Sequence, residues 1–142
     1  MLELEDQIDL LGAEMEQFHA GAWFEPEMDQ LLFLTEDRSF RAERVDALLT
    51  LLWHPAEDRL IGLKFKGFRW LYEFLAELGK VPSDGFLPLV AVLETAMTVG
   101  LCEAMREQLA KERREERRGK YDLARSIAGF EKVQVEELRR AA

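Results

Sequence analysis

The chain has one cysteine, Cys102, and only two histidines and four prolines among its 142 residues. A lone cysteine cannot form an intramolecular disulfide, which fits a reducing compartment, so the sequence predicts a cytoplasmic protein. The N-terminus has neither the basic stretch nor the apolar core of a secretory signal. The longest apolar run, at 86–93, is interrupted by Pro88 and is far shorter than the roughly 20 residues of a membrane span. No contact with a membrane is therefore expected.

Linear signatures of catalysis are also missing. The sequence has no Gly-rich phosphate loop, no G-x-S-x-G elbow, no CxxC pair and no HExxH motif. None of its three serines has a histidine nearby in sequence. These absences favour a non-catalytic protein without a cofactor, although a carboxylate-based site leaves no linear signature.

Basic residues are absent from the first 37 positions, which carry eleven carboxylates. Residues 106–142 reverse this balance, with 11 basic and 8 acidic residues. The overall net charge of −9 disfavours nucleic acid, because neutralising phosphates requires a positive field. Segregated charge steers association between molecules, so the partner is expected to be a second copy of the chain or another protein.

Residues 1–21 are predicted to form an acidic amphipathic helix. Apolar residues recur there at alternating spacings of four and three, which places them on one stripe: Leu4, Ile8, Leu11, Met15 and Phe18. The carboxylates lie on the opposite face, and Gly21 is the expected stop.

Residues 22–67 are predicted to form an antiparallel β-meander of three or four strands. Short apolar runs at 23–24, 31–34, 45–53 and 60–65 are separated by turn-forming segments rich in Pro, Asp and Glu. Pro55 favours a turn that joins 45–53 to 59–66 as a hairpin. The Leu-rich stretch 46–52 is compatible with a strand or a short helix, since Leu is not a strong strand former.

Residues 68–142 are predicted to be helical. Phe68 to Leu78 has helical spacing, and Gly79 and Pro82 end that helix. A longer helix is expected from residue 85 to about Arg118, with a break at Gly119 and a final helix over 121–140. The chain is therefore read as a single α+β domain, 1–142, in which a small β-meander is covered by the N-terminal helix and a long C-terminal helical pair.

Residues 24–66 resemble a family of small bacterial β-rich domains. Members open with an aromatic-Asp-Pro-Glu-x-Asp-x-Leu segment and close with an acidic turn and a strand of the type Leu-Val-Gly-Ile-Glu-Ile. Here the opening reads FEPEMDQL at 24–31, and the close reads AEDRLIGLKF at 56–65. The resemblance implies a β-meander and carries no catalytic residues.

One pair of residues has the spacing of a metal half-site. Glu16 and His19 form an E-x-x-H at i, i+3, as in di-iron carboxylate bundles. A homodimer could supply a second copy, with Glu94 or Glu103 as a further ligand. The alternative is a helix-terminal histidine that interacts with the helix dipole.

Two other candidates favour structural roles. His54 lies beside Glu57 and Asp58 in a turn, where acidic and polar residues collect for conformational reasons. Cys102 is surrounded by carboxylates, which disfavour the thiolate, so a small core residue is expected.

Two groups of residues are predicted interaction surfaces. The first is a compact basic and aromatic group: Lys64, Lys66, Arg69, Trp70 and Phe74. Trp70 and Phe74 lie off the main apolar face of their helix, so they meet another layer or a partner. The second group consists of Arg113, Arg114, Arg117 and Arg118. These arginines alternate with glutamates, a pattern that is also typical of a solvated helix whose charges pair with one another.

The sequence therefore predicts a non-catalytic interaction or assembly module that self-associates, with the acidic N-terminal helix docking on the basic segment 106–120. Two alternatives remain open at this point: a small metal-dependent enzyme that uses Glu16 and His19, and an acidic protein that binds a basic partner surface.

Overall fold

A computed structural model describes residues 21–106, 111–136 and 138, with the side chains of 100–106 excepted. The helix predicted for residues 1–21 lies outside the described residues, apart from Gly21. The elements in chain order are β1 (Gly21–Glu25), β2 (Gln30–Leu34), β3 (Arg41–Arg44), β4 (Leu49–Trp53), β5 (Leu60–Lys66), α1 (Phe68–Glu77), β6 (Phe86–Pro88), α2 (Leu89–Arg106), α3 (Lys111–Ala128) and β7 (Lys132–Gln134).

The first five strands form one antiparallel sheet in the order β1-β2-β5-β4-β3. The prediction of a three- or four-stranded meander is wrong in strand number and in topology. After β2 the chain crosses to the far edge of the sheet, forms β3, and returns through β4 to pair β5 with β2. Pattern reading missed β3 because its sequence, RAER, is polar and largely exposed, which suits an edge strand that must resist further pairing.

The Leu-rich stretch 45–53 is a turn followed by a strand. Residues 49–53 form β4, which pairs with β3 and β5, and the predicted hairpin at Pro55 is confirmed as β4–β5. Leu49, Leu51 and Leu52 are fully buried, on both faces of the strand. Burial on both sides of a central strand therefore outweighs the weak strand propensity of Leu.

The alternation of the strands divides the apolar residues between the two faces of the sheet. One face packs with the helices in the main core, through Leu31, Phe33, Leu49, Leu51, Leu63 and Phe65. The opposite face carries a second cluster of Leu32, Leu34 and Leu52, with Trp23 packed against it. Lys64 shares this second face, since it pairs with Leu32 across β2–β5.

Helix α1 begins and ends where the sequence predicts. Phe68, Leu71, Tyr72 and Leu75 are buried on its inner face, as their spacing requires. Gly79 adopts a positive φ of 69°, its N–H donates to the Ala76 carbonyl, and the Lys80 N–H donates to the Leu75 carbonyl. This pair of bonds is a Schellman motif, and it ends the helix at Gly79.

The predicted C-terminal helical pair is wrong. Residues 86–88 form β6, so the helix begins at Leu89, directly after Pro88, and α2 and α3 occupy what was predicted as one helix to Arg118. Gly119 does not break α3, because it keeps helical geometry at an exposed position where glycine costs only about 1 kcal/mol. The chain then leaves the helix at Gly129, at a φ of 51°, and residues 132–134, predicted as part of the final helix, form β7.

Strands β6 and β7 form a small second sheet that joins the start of α2 to the end of α3. The Leu89 N–H donates to the Glu131 carbonyl, and the Val135 N–H donates to the Gly85 carbonyl, both at 2.9 Å. Leu87 and Val133 are fully buried between them. The two ends of the helical hairpin are thereby fixed beside β1.

Candidate functional site

A pair of stacked aromatic rings, one exposed and one partly buried, lies on the outer face of α1. The Trp70 side chain is 52% exposed, and its ring stacks on that of Phe74 with centroids 5.9 Å apart and an interplanar angle of 19°. Met28, in the β1–β2 turn, is 68% exposed. We call Arg69, Trp70 and Phe74 the α1 patch. The prediction that Trp70 and Phe74 lie off the buried face of their helix is confirmed.

The β1–β2 turn positions this helix. Asp29, at a φ of 48°, accepts the Arg69 N–H on Oδ1 at 2.9 Å and the Phe68 N–H on its carbonyl at 3.2 Å. These bonds satisfy two of the N–H groups that the first turn of a helix leaves unpaired. The Arg69 guanidinium lies 5.5 Å from the centroid of the Phe24 ring. The β1–β2 turn thus fixes the first turn of α1, which carries Arg69 and Trp70.

The structure separates the predicted basic and aromatic group into two parts. Lys64 and Lys66 alternate with the core residues Leu63 and Phe65, so they lie on the sheet face opposite the helices. Arg69, Trp70 and Phe74 belong to α1, on the helix side. The two lysines are therefore not part of the α1 patch.

The second predicted group lies on α3, where Arg117 is held in a partly buried polar network. Its side chain is 10% exposed, and its Nη2 lies 2.8 Å from Oδ2 of Asp46. The Tyr121 hydroxyl donates to the same oxygen at 2.7 Å. Oδ1 of Asp46 accepts the Leu48 and Leu49 N–H groups. We call Asp46, Arg117 and Tyr121 the Asp46 network.

The Asp46 network joins three elements. It fixes the β3–β4 turn to α3, and Arg117 also donates to the Ala96 and Met97 carbonyls of α2 at 3.4 and 3.3 Å. Burial, followed by the negative charge of Asp46, raises the pKa of the Tyr121 phenol well above its usual range. Tyr121 is therefore a hydrogen-bond donor here and has no tendency to act as a base.

A second polar contact ties the edge strand to the same helix. Glu43 of β3 accepts the Trp53 Nε1–H at 3.0 Å and lies 3.3 Å from the Lys120 ammonium. Lys120 and Arg41 each lie 5.8 Å from the centroid of the Trp53 ring. Edge strand β3 is thus covered on its helix side by charged groups that are already paired.

Two cavities border α3. One, of about 300 Å³, lies toward the β3–β4 turn and is lined by Glu43, Arg44, Val45, Arg113, Glu116, Arg117 and Lys120. The other, of about 530 Å³, lies toward α2 and is lined by Met97, Thr98, Lys111, Arg114, Glu115, Arg117 and Arg118. We call the second the α2–α3 cavity. The predicted arginines therefore divide, with Arg113 at the first cavity, Arg114 and Arg118 at the second, and Arg117 at both.

The two predicted interaction groups do not meet. The α1 patch is attached to the β1–β2 turn through Asp29, and α3 is attached to the β3–β4 turn through Asp46. These hairpins lie on opposite sides of β5. The molecule therefore presents two separate candidate surfaces.

The turn at 54–59 has a structural explanation. The His54 ring is buried, and its Nδ1 accepts the N–H groups of Ala56 and Glu57 at 3.1 and 3.0 Å. Arg59 bonds the Glu57 carboxylate at 3.0 Å and lowers the pKa of that exposed group. His54 and Glu57 thus stabilise the conformation of the turn.

The metal candidates gain no support from the structure. Glu16, His19 and the Glu103 side chain lie outside the described residues, as does the side chain of Cys102. Glu94 pairs with Arg125 at 3.2 Å. In the described part of the chain, no group of three His, Cys, Asp or Glu residues is placed to hold a metal ion.

Sequence reasoning missed Asp46 and Tyr121. Asp46 carries a weak local signal, because Asp in a turn commonly accepts backbone N–H groups two and three residues ahead. Nothing in the local sequence connects it to Arg117, 71 residues away, or to Tyr121, 75 residues away. Only the tertiary fold brings these groups together.

Comparison with protein-family profiles, curated proteins and solved structures found no match for this chain. The resemblance of residues 24–66 to small β-rich domains gains no support from it. None of the helices in the described ranges is both long enough and apolar enough to span a bilayer. The features of this chain that bear on function are therefore its own two candidate surfaces, the α1 patch and the arginine-bearing helix α3.

Proposed function

We propose that this protein is a non-catalytic interaction module of the cytoplasm that self-associates, and that the α1 patch is the surface that contacts a second copy. The observation that carries the proposal is the half-exposed Trp70 ring, stacked on Phe74 at the outer face of α1. Removing a large aromatic ring from water is favourable, and Trp and Arg are the residue types that most often dominate binding energy.

The stacking also prepares Trp70 for binding. A free side chain loses rotamer freedom when an interface orders it, at a cost of about 0.5–1.5 kcal/mol for a flexible group. Contact with Phe74 already restricts the Trp70 ring, and the bond from the Arg69 N–H to Asp29 fixes the first turn of the helix. Part of the entropic cost is thus met before association.

Charge favours a second copy as the partner. Arg69 brings a cation to the α1 patch, whereas the chain as a whole has a net charge of −9, with eleven carboxylates in its first 37 residues. The Arg69 cation on one copy can pair with a carboxylate on another, which steers encounter and fixes orientation. The apolar centre of such an interface supplies affinity, and the charged rim makes it sensitive to salt.

The test is size-exclusion chromatography with light scattering on untagged protein, at low and high salt. We expect the wild type to be an oligomer that dissociates more readily as salt rises. Trp70→Ser is expected to weaken association by about 30-fold or more, as for the loss of a hot spot of about 2 kcal/mol.

The matched control is Phe130→Ser. Phe130 follows Gly129 and is fully exposed, so this change removes a solvated aromatic ring that is not part of the α1 patch. It is expected to leave association unchanged. A monomeric wild type at both salt concentrations, or equal loss in the two variants, would contradict the proposal.

A further inference from the structure

The α2–α3 cavity has the size and the charge of a binding site for a small anion. Its volume of about 530 Å³ falls in the range of about 300–1,000 Å³ that is usual for small-molecule pockets. Met97 and Thr98 of α2 form one wall. The other wall is one face of α3, because its residues are spaced i, i+3, i+4 and i+7: Lys111, Arg114, Glu115 and Arg118.

The cations of this wall are incompletely neutralised. Arg117 is paired with Asp46, and its charge is met inside the protein. Lys111 lies 4.0 Å from Glu115, but both side chains are mostly exposed and such pairs are weak. Within the described residues, Arg114 and Arg118 have no carboxylate within ion-pair distance, and the buried Nε of Arg114 has no hydrogen-bond partner.

A guanidinium in a cavity wall that no described carboxylate neutralises attracts an anion, so the unpaired charges of Arg114 and Arg118 favour an anionic ligand. Guanidinium groups present planar forks of donors that match the oxygens of phosphate and carboxylate. Arg114 and Arg118 lie one helical turn apart, with Lys111 one turn before Arg114. Two guanidinium groups and an ammonium suit a doubly charged group better than a single carboxylate.

We propose that the α2–α3 cavity binds a small molecule through a phosphate group held by Arg114 and Arg118, with Lys111 adding charge. This site is separate from the α1 patch, so it goes beyond the proposed self-association. The proposals of self-association and of anion binding can therefore fail independently of each other. Loss of oligomers in Trp70→Ser bears only on self-association, and loss of anion binding in an Arg118 variant bears only on the cavity.

The test is isothermal titration calorimetry of the untagged full chain with inorganic pyrophosphate, at constant ionic strength. Citrate is the carboxylate probe in a parallel titration. We expect saturable binding of one pyrophosphate per chain and much weaker binding of citrate. Arg118→Gln removes an exposed charge-assisted donor and is expected to weaken pyrophosphate binding by about tenfold.

Two variants locate the effect. Arg113→Gln removes the same charge from the same helix, but its side chain lines the other cavity, so binding is expected to change by less than about twofold. Arg114→Lys keeps the charge and removes the planar fork, and it is expected to weaken binding as Arg118→Gln does. Circular dichroism of each variant checks that the fold is intact.

Three results would overturn the proposal. The first is no heat of binding to the wild type. The second is equal weakening by Arg113→Gln and Arg118→Gln, which would indicate a diffuse field in place of a site. The third is citrate binding as tight as pyrophosphate, which would indicate general anion attraction without selectivity for phosphate.

Discussion

At the scale of single residues, Asp46 does more for this fold than its position in a surface turn indicates. One carboxylate oxygen accepts two backbone N–H groups of the β3–β4 turn, and the other accepts from Arg117 and Tyr121. Charge-assisted bonds are the strongest that side chains make, and these are shielded from water, since the Asp46 side chain is 17% exposed. The same residue therefore shapes a turn and fixes a helix against the sheet.

Tyr121→Phe tests this network with the least change of shape. The variant removes one donor to a charged acceptor, so we expect the free energy of unfolding to fall by about 1.5–3 kcal/mol. Urea denaturation at neutral pH measures it. Tyr121 is fully buried and Arg117 still pairs with Asp46, so the variant should fold. An unchanged midpoint would contradict the contribution of this hydrogen bond.

The stability difference between the wild type and Tyr121→Phe is expected to depend on pH. The pKa of Tyr121 is raised in the folded state by burial and by Asp46, so folding favours the protonated phenol. Its contribution is complete below the unfolded value of about 10 and is lost above it, at up to about 1.4 kcal/mol per pH unit. The stability advantage of the wild type over Tyr121→Phe should therefore shrink above about pH 10. A pH of 11.5 is about one and a half units above the ordinary pKa of a phenol. If the difference in unfolding free energy between wild type and Tyr121→Phe stayed constant up to that pH, the raised pKa would be contradicted.

At the scale of elements, most strands and the first helix follow from local pattern. The short apolar runs predicted β1, β2, β4 and β5, and helical spacing predicted α1 and placed Trp70 and Phe74 off its buried face. These elements are predictable because burial demands apolar residues at a fixed period. Edge strand β3 was missed because it buries little, so its RAER sequence carries no such period.

The helical region shows where local pattern fails. Residues 86–88 have the apolar character of a helix start, but they pair with β7, more than 40 residues further along the chain. Gly119 looks like a stop, yet α3 passes through it because the helix is held by Arg117 and Tyr121 on either side. Long-range contacts thus determine both the strand at 86–88 and the continuation of α3 through Gly119. The Asp46 network also depends on such contacts, so no sequence pattern predicts it.

Two glycines in regular elements have opposite roles, which gives a matched pair of substitutions. In β5, a Cβ on Gly62 would lie 2.3 Å from the Phe33 carbonyl oxygen, which is part of the neighbouring strand. Gly62→Ala is therefore expected to destabilise the protein by about 2–3 kcal/mol through overpacking. In α3, a Cβ on Gly119 would meet no atom of the described residues within 4 Å. Gly119→Ala is expected to stabilise it by about 1 kcal/mol.

Thermal or urea unfolding of both variants measures this contrast. Because the substitution is the same, effects on the unfolded chain largely cancel between them. The reading of the two sites would be wrong if Gly62→Ala were neutral. It would equally be wrong for α3 if Gly119→Ala lowered stability, since that would imply a helix interrupted at this residue.

At the scale of the whole molecule, strand β5 is the centre of the structure. It pairs with β2 on one side and with β4 on the other, and its inner residues Leu63 and Phe65 are fully buried in the main core. Its partner β2 is about 30 residues earlier in the chain, so this pairing closes a long loop and completes the sheet. The outer hairpins attach to the centre through β2 and β4. The turn of each is bonded to a helix that bears one candidate surface, α1 through Asp29 and α3 through Asp46.

Native-state hydrogen exchange should reveal this arrangement. Amides of β5 are hydrogen-bonded between two strands, so we expect the slowest of them to exchange only through global unfolding, at the free energy that urea denaturation gives. Within the described residues, strand β3 pairs on one side only and its side chains are mostly exposed, so its amides should exchange at least about tenfold faster through local opening. If Asp46 couples the β3–β4 turn to α3, Tyr121→Phe should accelerate amide exchange both in the turn and around Tyr121. The ratio of the exchange rates of β2 and β5 should stay unchanged. Equal protection of β3 and β5 in the wild type would mean that the sheet opens as one unit, and the β3–β4 hairpin could not then open independently of the core.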